Sequence, residues 1–485
     1  MNTKKEQVSI LFTAFEAAPF FKSGGLGDVA GALPAAVASK NYDIRVVLPK
    51  LSVIPQKYVE KMNYICNFEV PLGWRNQYCG LFELKLGGVT YYFIDNEYYF
   101  MRDKAYGEFD DGERMAYFSK AVLESILYID NFMPDIIHCN DWHTALVPVF
   151  LREQYMQIPG FENIRTIFTV HNLKFQGMYS DTLIENILGL KDTPADAQLR
   201  LGTAVNFMQG ALRYSDIITT VSPTYAEEIC TPYFGEHMDG LFNARKASLY
   251  GILNGIDYKE YDPLHDKNIE FHYSHKTVNN KVNNKLQLQE ELGFEVNPNI
   301  PLYAIISRLT EQKGLDLVTY ILPQIMDMGM QFVVLGVGDY KYEEAFSWYS
   351  HERPDKMCAI LKFDGALSNR IYAAADAFLV PSRFEPCGLT QMIAMRYGTL
   401  PIVRETGGLK DTVIPYNQYT GEGTGFSFTN FNAHELLTTI ENSLYVYYNE
   451  PKAWRRMQIH AMTTDFSWHK SAVRYRKLYR ELAGK

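Results

Sequence analysis

The sequence has no excess of positive charge. Its 485 residues include 47 lysines and arginines against 56 aspartates and glutamates, which gives a net charge of −9. A protein that binds nucleic acid must neutralise phosphates with surplus cations, so this balance argues against a general nucleic-acid binder. We expect no nucleic-acid partner.

Long apolar runs and paired cysteines are missing as well. No uninterrupted apolar stretch approaches the ~20 residues of a membrane-spanning helix, and Met1 to Gln7 are polar and charged, which predicts no signal peptide. The cysteines form no C-x-x-C pair, which fits a reducing compartment and argues against structural zinc. These absences predict a cytoplasmic protein without a membrane partner. The scattered cysteines are Cys66, Cys79, Cys139, Cys230, Cys358 and Cys387.

The chain also lacks Asp-x-Asp, the simplest signature of a metal held against a diphosphate. Three residues of one segment, His138, Asp141 and His143, could be interpreted as metal ligands. Their spacing differs from the H-E-x-x-H arrangement that places two histidines on one helix face. We therefore expect neither a metal nor a cofactor.

What the chain does have is length and apolar content. With 47% hydrophobic and 21% charged residues it is globular in composition, and it is too long for one ordinary core. A polar, irregular stretch from Asp262 to Asn284 marks a change of composition. We predict an N-terminal domain over residues 1–255, a C-terminal domain over 256–465, and a helix within 466–485 that crosses back to the first domain.

Strands and helices alternate along both halves. Short apolar runs are typical of buried parallel strands. Their alternation with helices predicts an α/β fold of two doubly wound, Rossmann-like domains, which we expect to face each other across a cleft lined by their carboxyl-end loops. The predicted strands begin at Val8, Asp43, Asp135, Arg165, Ile217, Pro301, Gln331, Ala359, Ala377 and Leu400.

Other segments lead to more local predictions. Residues 63–118 are rich in Tyr and Phe and alternate over short stretches, which predicts hairpin strands attached to the first parallel sheet. Tyr98–Phe100 is predicted to lie on a loop, with ordinary packing for at least two of its three side chains. Gly251–Asp257 is predicted to be a strand that ends in an Asn-Gly turn, and helices are predicted from Ser368 and from Asp411.

A glycine-rich loop follows the first strand. Lys22 and the pair Gly24-Gly25 precede an alanine-rich helix that runs through Ser39. Paired glycines let backbone N–H groups approach a phosphate closely, and a lysine can add a point charge. The loop is neither the G-x-G-x-x-G fingerprint nor a Walker A loop. Taken alone, it is compatible both with a phosphate site and with a tight turn.

Polar residues follow two later strands of the first half. Asp141 and His143 come after one strand, and His171 and Asn172 come after the next. Because carboxyl ends of parallel strands meet at the same edge of a sheet, these residues are expected to lie together. Their grouping favours a functional site over isolated core histidines.

Loops of the second half carry cations and a carboxylate. Arg308 and Lys313 share one strand-end loop, which suits a diphosphate because arginine is forked and lysine is a point charge. Glu385 lies in the segment Ser382–Thr390, between an apolar strand and a helix whose first N–H groups can face an anion. A carboxylate beside a phosphate pocket suggests transfer of a group away from a phosphate. Taken by itself, Glu385 is better explained as a solvated loop acid, and Arg308 and Lys313 as a solvated basic pair.

Several blocks, in this order and spread over essentially the whole chain, together resemble bacterial glycogen synthases and plant starch synthases. One departure is Cys139-Asn140, where that family more often has another pair, commonly ending in His; the Asp141-Trp142-His143 that follows is kept. The matching blocks are Lys22–Val29, His138–His143, Thr169–Asn172, Asn254–Asp257, Arg308–Gly314, Pro381–Leu389 and Thr406–Val413.

The resemblance implies a GT-B glycosyltransferase that moves glucose, with retention, from ADP-glucose to the non-reducing end of an α-1,4-glucan without metal or cofactor. It implies that Arg308, Lys313 and Lys22 meet the donor diphosphate and that Glu385 contacts the donor glucose. It implies that His171 is a catalytic residue, as are Glu385, Arg308 and Lys313. The further implied substrate-binding residues are Gly24, Gly25, Asp28, Asp141, Asn172, Asn254, Cys387, Gly388, Leu389 and Thr390.

Alternatives remain open at this stage. One is a two-domain glucosyltransferase with UDP-glucose as donor or with a small acceptor. A phosphorylase with pyridoxal phosphate shares the architecture, but this chain is much shorter and shows no recognisable cofactor-lysine block. A non-enzymatic sugar-binding protein would not need Arg308 and Lys313 on one loop. Whether Glu385 acts electrostatically or as a covalent nucleophile, and the oligomeric state, are undecided by the sequence.

Overall fold

The computed structural model describes residues 7–485. Residues 1–6 lie outside the described residues. They include most of the polar segment Met1 to Gln7, for which no signal peptide is predicted, and the start of the predicted N-terminal domain. The chain forms two compact units. The first runs from the start of the described residues to Asn254 and includes Trp468–Lys485, and the second is Gly255–Ser467.

The first unit contains a nine-stranded sheet with the strand order β12-β11-β7-β6-β1-β2-β5-β4-β3, and a small three-stranded sheet with the order β8-β10-β9. The strands are β1 (Val8–Thr13), β2 (Tyr42–Pro49), β3 (Asn63–Leu72), β4 (Arg75–Leu86), β5 (Val89–Asp95), β6 (Ile136–Asn140), β7 (Arg165–Val170), β8 (Met178–Ser180), β9 (Arg200–Leu201), β10 (Ala204–Asn206), β11 (Ile217–Thr220) and β12 (Leu249–Gly251).

The large sheet is parallel from β12 to β5 and antiparallel at its other edge. Strand β5 pairs in parallel with β2 and antiparallel with β4, which pairs antiparallel with β3. The predicted hairpin strands and their attachment to the parallel sheet are therefore confirmed. All six side chains of β1 are buried, as expected for a central strand with both faces covered.

Helices and single helical turns connect the strands of the first unit. The helices are α1 (Gly25–Val37), α2 (Gln56–Val59), α3 (Glu97–Phe100), α4 (Asp111–Ser125), α5 (Leu146–Phe150), α6 (Pro194–Leu199), α7 (Phe207–Tyr214), α8 (Pro223–Glu228) and α9 (Asp239–Ala244). The shorter turns are Ile126–Tyr128, Trp142–Thr144, Leu151–Tyr155, Phe161–Asn163, Ile184–Leu188 and Lys246–Ser248.

The second unit is a six-stranded parallel sheet with the order β15-β14-β13-β16-β17-β18. Its strands are β13 (Leu302–Ile306), β14 (Gln331–Leu335), β15 (Met357–Ile360), β16 (Ala377–Val380), β17 (Leu400–Arg404) and β18 (Phe426–Phe428). Its helices are α10 (Lys281–Glu291), α11 (Leu315–Asp327), α12 (Tyr340–Glu352), α13 (Gly365–Ala374), α14 (Thr390–Arg396), α15 (Gly407–Thr412), α16 (Ala433–Asn449) and α17 (Pro451–Thr463), with helical turns at Val278–Asn280 and Glu311–Lys313.

The last helix, α18 (Trp468–Ala483), belongs to the first unit. The guanidinium of Arg476 donates to the carbonyls of Ala36 and Val37 at the carboxyl end of α1, where a cation complements the helix dipole. The Tyr479 hydroxyl lies 2.7 Å from Nδ1 of the fully buried His138. These contacts join the end of the chain to the sheet of the first unit.

Side-chain caps explain where several helices begin. Ser222 accepts from the N–H of Tyr225 with Pro223 at the first position of α8, and Asp364 accepts from the N–H of Leu367 at the start of α13. Such caps satisfy N–H groups that lack a partner within the helix. The helix predicted from Ser368 therefore begins earlier, at Gly365.

Three further local predictions are wrong. Tyr98–Phe100 is not a loop, because Asn96 caps the short helix α3 by accepting from the N–H of Tyr99. The predicted packing of two of its three side chains is confirmed, since Tyr99 and Phe100 are buried. Strand β12 ends at Gly251, where a strand was predicted to begin, and the helix predicted from Asp411 begins at Gly407.

Within residues 7–485, no helix is both long and apolar enough to cross a lipid bilayer.

Candidate active site

In the first unit, the Lys22–Gly27 loop is held by a buried carboxylate. Glu16, a few residues beyond β1, accepts hydrogen bonds from the N–H of Ser23 at 2.8 Å, the hydroxyl of Ser23 at 2.7 Å and the N–H of Gly27 at 2.9 Å. The Tyr106 hydroxyl donates to the same carboxylate at 3.1 Å. Burial raises the pKa of Glu16, so four donors surround a carboxylate that is costly to ionise.

The contacts of Glu16 change the interpretation of the glycine-rich loop. Its N–H groups at Ser23 and Gly27 are already bonded, whereas those of Gly24 and Gly25 have no acceptor among the described residues. A Cβ atom added at Gly24 or Gly25 would meet nothing within 4 Å. The surface above the two glycines is therefore open, and their N–H groups are the ones available to a ligand.

Lys22 and Asp28 form an ion pair across the first turn of α1, with Nζ 2.8 Å from Oδ1. Both side chains are about one-third exposed, at 38% and 32%. An ion pair this exposed contributes only ~0–1 kcal/mol. Loss of this one ion pair in exchange for a phosphate would therefore cost little.

Strands β6 and β7 deliver a second group of polar residues to the same edge of the sheet. Asp141 Oδ1 accepts from the N–H of His171 at 2.7 Å, and the N–H of Asn172 also bonds this carboxylate. Burial raises the pKa of Asp141 to about 7, and the charge of Glu16 adds to the rise. The predicted neighbours Asp141, His171 and Asn172 are thus brought together, close to the loop that Glu16 holds.

Two histidines of this group are neutral at physiological pH. Burial lowers the pKa of His171 and of His143 to about 3. The His171 ring bonds through Nε2 to Oδ1 of Asn140 at 2.9 Å. The His143 ring stacks on Phe15, with ring centroids 5.5 Å apart. A neutral imidazole can accept or donate a hydrogen bond to a sugar hydroxyl without adding charge.

His138 does not belong to this group. It is 0% exposed, with Nδ1 bonded to the Tyr479 hydroxyl and Nε2 2.6 Å from the Thr169 hydroxyl. Both ring nitrogens are therefore used by the core. Among residues 7–485 no cluster of three metal-ligating side chains is found.

Asn254 ends the first unit. It is buried, and its Oδ1 atom has no hydrogen-bond partner among the described residues. A buried, unpaired carbonyl oxygen normally requires a partner. The side chain of Asn254 forms no hydrogen bond with Asp141 or His171, and all three are described residues.

In the second unit, two of the predicted catalytic residues are in contact. The Lys313 ammonium lies 2.6 Å from Oε2 of Glu385, and the Ser382 hydroxyl donates to the same oxygen at 2.9 Å. Lys313 lies in the turn after β13, and Glu385 follows β16, the neighbouring strand. Adjacent strands of a parallel sheet thus place a cation and a carboxylate at one edge.

Arg308 lies on the same loop as Lys313. Its side chain is exposed, and it forms no ion pair with any residue from 7 to 485. An exposed guanidinium without a carboxylate partner is available for bidentate binding of phosphate oxygens.

The segment after Glu385 packs backbone against backbone. Gly388 has a positive φ of 71°, which suits glycine. A Cβ atom at Gly408 would overlap the carbonyl of Cys387, and the N–H of Gly408 donates to the carbonyl of Glu385 at 3.0 Å. The Gly407-Gly408 pair therefore supports the Glu385 loop through close contact. Leu389 and Thr390 follow at the start of α14.

The residues that sequence reasoning missed are Glu16, Tyr106 and Asn140. Each acts through a partner that is distant in sequence: Tyr106 lies 90 residues from Glu16, and Asn140 lies 31 residues from His171. Two of these residues could have been identified from the sequence by their positions. Glu16 follows β1 and Asn140 ends β6, and the carboxyl ends of parallel strands line such sites.

Comparison with known proteins gives matches along the two units. Residues 9–244 match the family of the starch synthase catalytic domain, and residues 287–455 match glycosyl transferases group 1. A glycogen synthase of Desulfitobacterium hafniense is 51% identical over 98% of this chain and 99% of its own length. A glycogen synthase of Clostridium acetobutylicum is 50% identical over 97% of this chain and 99% of its own length.

Solved structures agree with these sequence matches. The catalytic domain of starch synthase IV from Arabidopsis thaliana, bound to ADP and acarbose, superposes with a TM-score of 0.90 at 33% identity over 99% of this chain and 100% of that one. Sucrose-phosphate synthase from Thermosynechococcus elongatus, with a TM-score of 0.64 and 18% identity over 99% of this chain and 100% of that one, shares the fold. The predicted α/β architecture of the GT-B type is thereby confirmed. The chain belongs to the glycogen synthase and starch synthase family of glycosyltransferases.

Proposed function

We propose that this protein transfers glucose from ADP-glucose to the non-reducing end of an α-1,4-glucan, with retention of configuration. The observation that carries the proposal is the contact between Lys313 and Glu385, at 2.6 Å, with the exposed Arg308 on the same loop. This arrangement supplies cations for a diphosphate leaving group next to a carboxylate for the sugar. The relative bound to ADP supports an adenine nucleotide as the donor.

The chemistry requires charge stabilisation more than covalent participation. Departure of ADP builds negative charge on the diphosphate and positive charge on the sugar ring. Lys313 is held by Glu385 before the reaction begins, and a preorganised cation stabilises such charge without further reorganisation. Arg308, exposed on the same loop, supplies a second cation. We therefore propose that transfer proceeds without a metal ion.

Glu385 is proposed to orient and stabilise the donor glucose rather than to attack it. One of its carboxylate oxygens is shared by the Lys313 ammonium and the Ser382 hydroxyl. Two donors on one oxygen lower the nucleophilicity of the carboxylate, and its other oxygen can still accept from a sugar hydroxyl. Glu385 is buried, which keeps water from competing for its carboxylate.

The remaining predicted site residues receive roles from their places in the two units. In the first unit, open N–H groups at Gly24 and Gly25 would bind phosphate or sugar oxygens, while Asp141 and His171 would contact sugar hydroxyls. We propose further substrate contacts for Lys22, Asp28, Asn172 and Asn254 in the first unit and for Cys387, Gly388, Leu389 and Thr390 in the second.

We also propose that the protein works in the cytoplasm. All six cysteines, Cys66, Cys79, Cys139, Cys230, Cys358 and Cys387, are free thiols, as expected for a reducing compartment. Fractionation of cells with an antibody to the protein would test this.

A glucose-incorporation assay tests the proposed function. Purified protein is given glycogen and either radiolabelled ADP-glucose or radiolabelled UDP-glucose, with and without a chelator. We expect label to enter the polymer from ADP-glucose, and to the same extent when divalent metals are removed. Preferential incorporation from UDP-glucose would overturn the donor assignment. Binding of glycogen without incorporation from either donor would indicate a sugar-binding protein.

A further inference from the structure

Asn140 lies at the end of β6 and is 1% exposed. Its amide group faces two different partners. On one side Nδ2 donates to the carbonyl of Thr13 at 3.0 Å and, more weakly, to the carbonyl of His138 at 3.4 Å. On the other side Oδ1 lies 2.9 Å from Nε2 of His171.

The partners of Nδ2 determine which way the amide points. Both are backbone carbonyl oxygens, which can only accept. A reversed amide would place Oδ1 against the carbonyl of Thr13 and leave two buried acceptors facing each other, a costly arrangement. Oδ1 of Asn140 must therefore face His171.

This orientation in turn determines where the proton of His171 resides. The ring is neutral, so one nitrogen carries a hydrogen and the other a lone pair. Nε2 faces a carbonyl oxygen and must donate, which leaves the lone pair on Nδ1. Among residues 7–485, no hydrogen bond of Nδ1 is present. The carboxylate of Asp141 bonds the backbone N–H of His171 and does not compete for its ring.

We infer that Asn140 is a positioning residue that fixes His171 in the tautomer protonated at Nε2, so that Nδ1 accepts a hydrogen bond from a hydroxyl of the substrate sugar. This inference rests on the proposed function for its substrate. The tautomer itself follows from contacts within the first unit. A sugar hydroxyl suits this acceptor because it can donate to Nδ1 without any change in the charge of the site.

In its contact with the sugar, His171 is therefore the hydrogen-bond acceptor. If the ring were protonated at Nδ1 instead, that nitrogen would donate, and the sugar hydroxyl would have to turn its hydrogen away and present a lone pair. Misorientation of a single contact of this kind costs up to about 100-fold in rate. The amide of Asn140 is buried and cannot rotate to exchange its donor and acceptor ends. It therefore excludes the tautomer of His171 that is protonated at Nδ1.

The tautomer can be measured without any turnover. Full-length protein is labelled with ¹⁵N-histidine, and the His171 ring resonances are assigned by their loss in His171→Gln. We expect a protonated Nε2 and an unprotonated Nδ1 in the wild type. A wild-type ring protonated at Nδ1 would overturn the inference at once.

Variants of Asn140 separate positioning from stability. Asn140→Leu removes the oxygen that faces Nε2 of His171 and should increase the share of the tautomer protonated at Nδ1. Asn140→His should also increase that share, because imidazole can either donate to Nε2 or accept from it. Asn140→Asp keeps an oxygen facing Nε2 and should keep the tautomer at mildly alkaline pH, although it loses the donation to Thr13. Asn369→Leu is the matched control, because Asn369 is another buried asparagine, bonded to Asp266 in the second unit.

Kinetics completes the test. Asn140→Leu should lower kcat with ADP-glucose by roughly 10- to 100-fold while leaving the affinity for ADP, which lacks the glucose to be transferred, unchanged. Asn369→Leu should lower the Tm and leave kcat close to wild type. A wild-type tautomer and wild-type kcat in Asn140→Leu would refute the positioning role. If instead the wild type shows the expected tautomer but transfers no glucose from any donor, the proposed function fails and the assignment of the tautomer stands.

Discussion

The Nζ atom of Lys313 lies 2.6 Å from Oε2 of Glu385, across two neighbouring strands of the second unit. The side chains are only 20% and 8% exposed. The pair therefore interacts in a partly desolvated environment, where charge–charge interactions are stronger than at an open surface. This contact couples the residue proposed for the diphosphate to the residue proposed for the sugar.

Loss of either proposed diphosphate cation should reduce transfer strongly. Arg308→Ala and Lys313→Ala should each lower kcat with ADP-glucose by about 100- to 1,000-fold, because each removes a positive charge that would stabilise the leaving group. The measurement is steady-state incorporation of labelled glucose into glycogen, with Tm recorded in parallel. Arg308 is exposed, so Arg308→Ala should melt like the wild type.

Lys276→Ala is the control for these variants, since Lys276 is an exposed lysine of the same unit. It should retain wild-type activity. Near-normal turnover in both Arg308→Ala and Lys313→Ala would contradict the diphosphate assignment.

Substitution of Glu16 should disorder the glycine-rich loop. Glu16→Gln replaces an acceptor-only carboxylate with an amide whose NH₂ group would face the donors of Ser23, Gly27 or Tyr106. Each lost bond to a buried group costs ~1–3 kcal/mol. We expect a lower Tm and a higher KM for ADP-glucose, measured by calorimetry and by initial rates.

Glu124→Gln provides the comparison, because Glu124 also accepts from a tyrosine hydroxyl, that of Tyr155 at 2.7 Å, within the same unit. Its KM should stay at the wild-type value. An unchanged KM in Glu16→Gln would show that the loop does not depend on this carboxylate.

A methyl group at Gly24 should impair activity without impairing folding. The Cβ atom of Gly24→Ala would meet nothing within 4 Å, and the extended backbone at this residue, with φ of −170°, accepts any side chain. We expect a Tm equal to that of the wild type and a rise in KM for ADP-glucose, because the methyl group obstructs the approach of ligand oxygens to the N–H groups. Gly240→Ala, equally open in the same unit, should change neither quantity.

The Glu385 loop should be sensitive to bulk at Gly408. The Cβ atom of Gly408→Ala would overlap the carbonyl of Cys387, so the loop or α15 must shift. Overpacking of this kind costs about 1–3 kcal/mol. Chemical denaturation should show that loss, together with reduced kcat. Gly365→Ala, at the open first position of α13, should be neutral or stabilising.

Lys281 should make the second unit less stable in acid than in alkali. Its ammonium is buried and donates to the carbonyls of Tyr372 and Ala373 and to the Thr399 hydroxyl. Burial lowers its pKa from 10.5 to about 7. Between these two values the unfolded chain binds more protons than the folded one, so the free energy of unfolding should rise as the pH is raised.

Lys281→Met isolates this contribution. The difference in the free energy of unfolding between wild type and Lys281→Met should grow in favour of the wild type from about pH 7 to about pH 10. Urea denaturation at a series of pH values measures it. A difference that is constant over this range would mean that Lys281 stays charged in the folded protein.

Much of the fold follows from local pattern. Strand β16 (Ala377–Val380) begins at its predicted residue. The other strands whose beginnings were predicted from apolar runs start within a few residues of those positions, because such runs have few alternatives to a buried strand. Strand β18 was not predicted, and the strand predicted from Gly251 is wrong. Short helices such as α3 were missed. A single capping side chain such as Asn96 determines whether such a helix forms, and the same residues are also common in loops.

The sequence by itself determined the family and the residues of its blocks, because those residues keep their order and spacing along the chain. Only the tertiary structure decided how they are held. Glu16 receives donors from residues 7, 11 and 90 positions away, and Asn140 reaches the Thr13 carbonyl over 127 positions. No local pattern encodes such contacts, because they form only when parallel strands bring their carboxyl ends to one edge of a sheet.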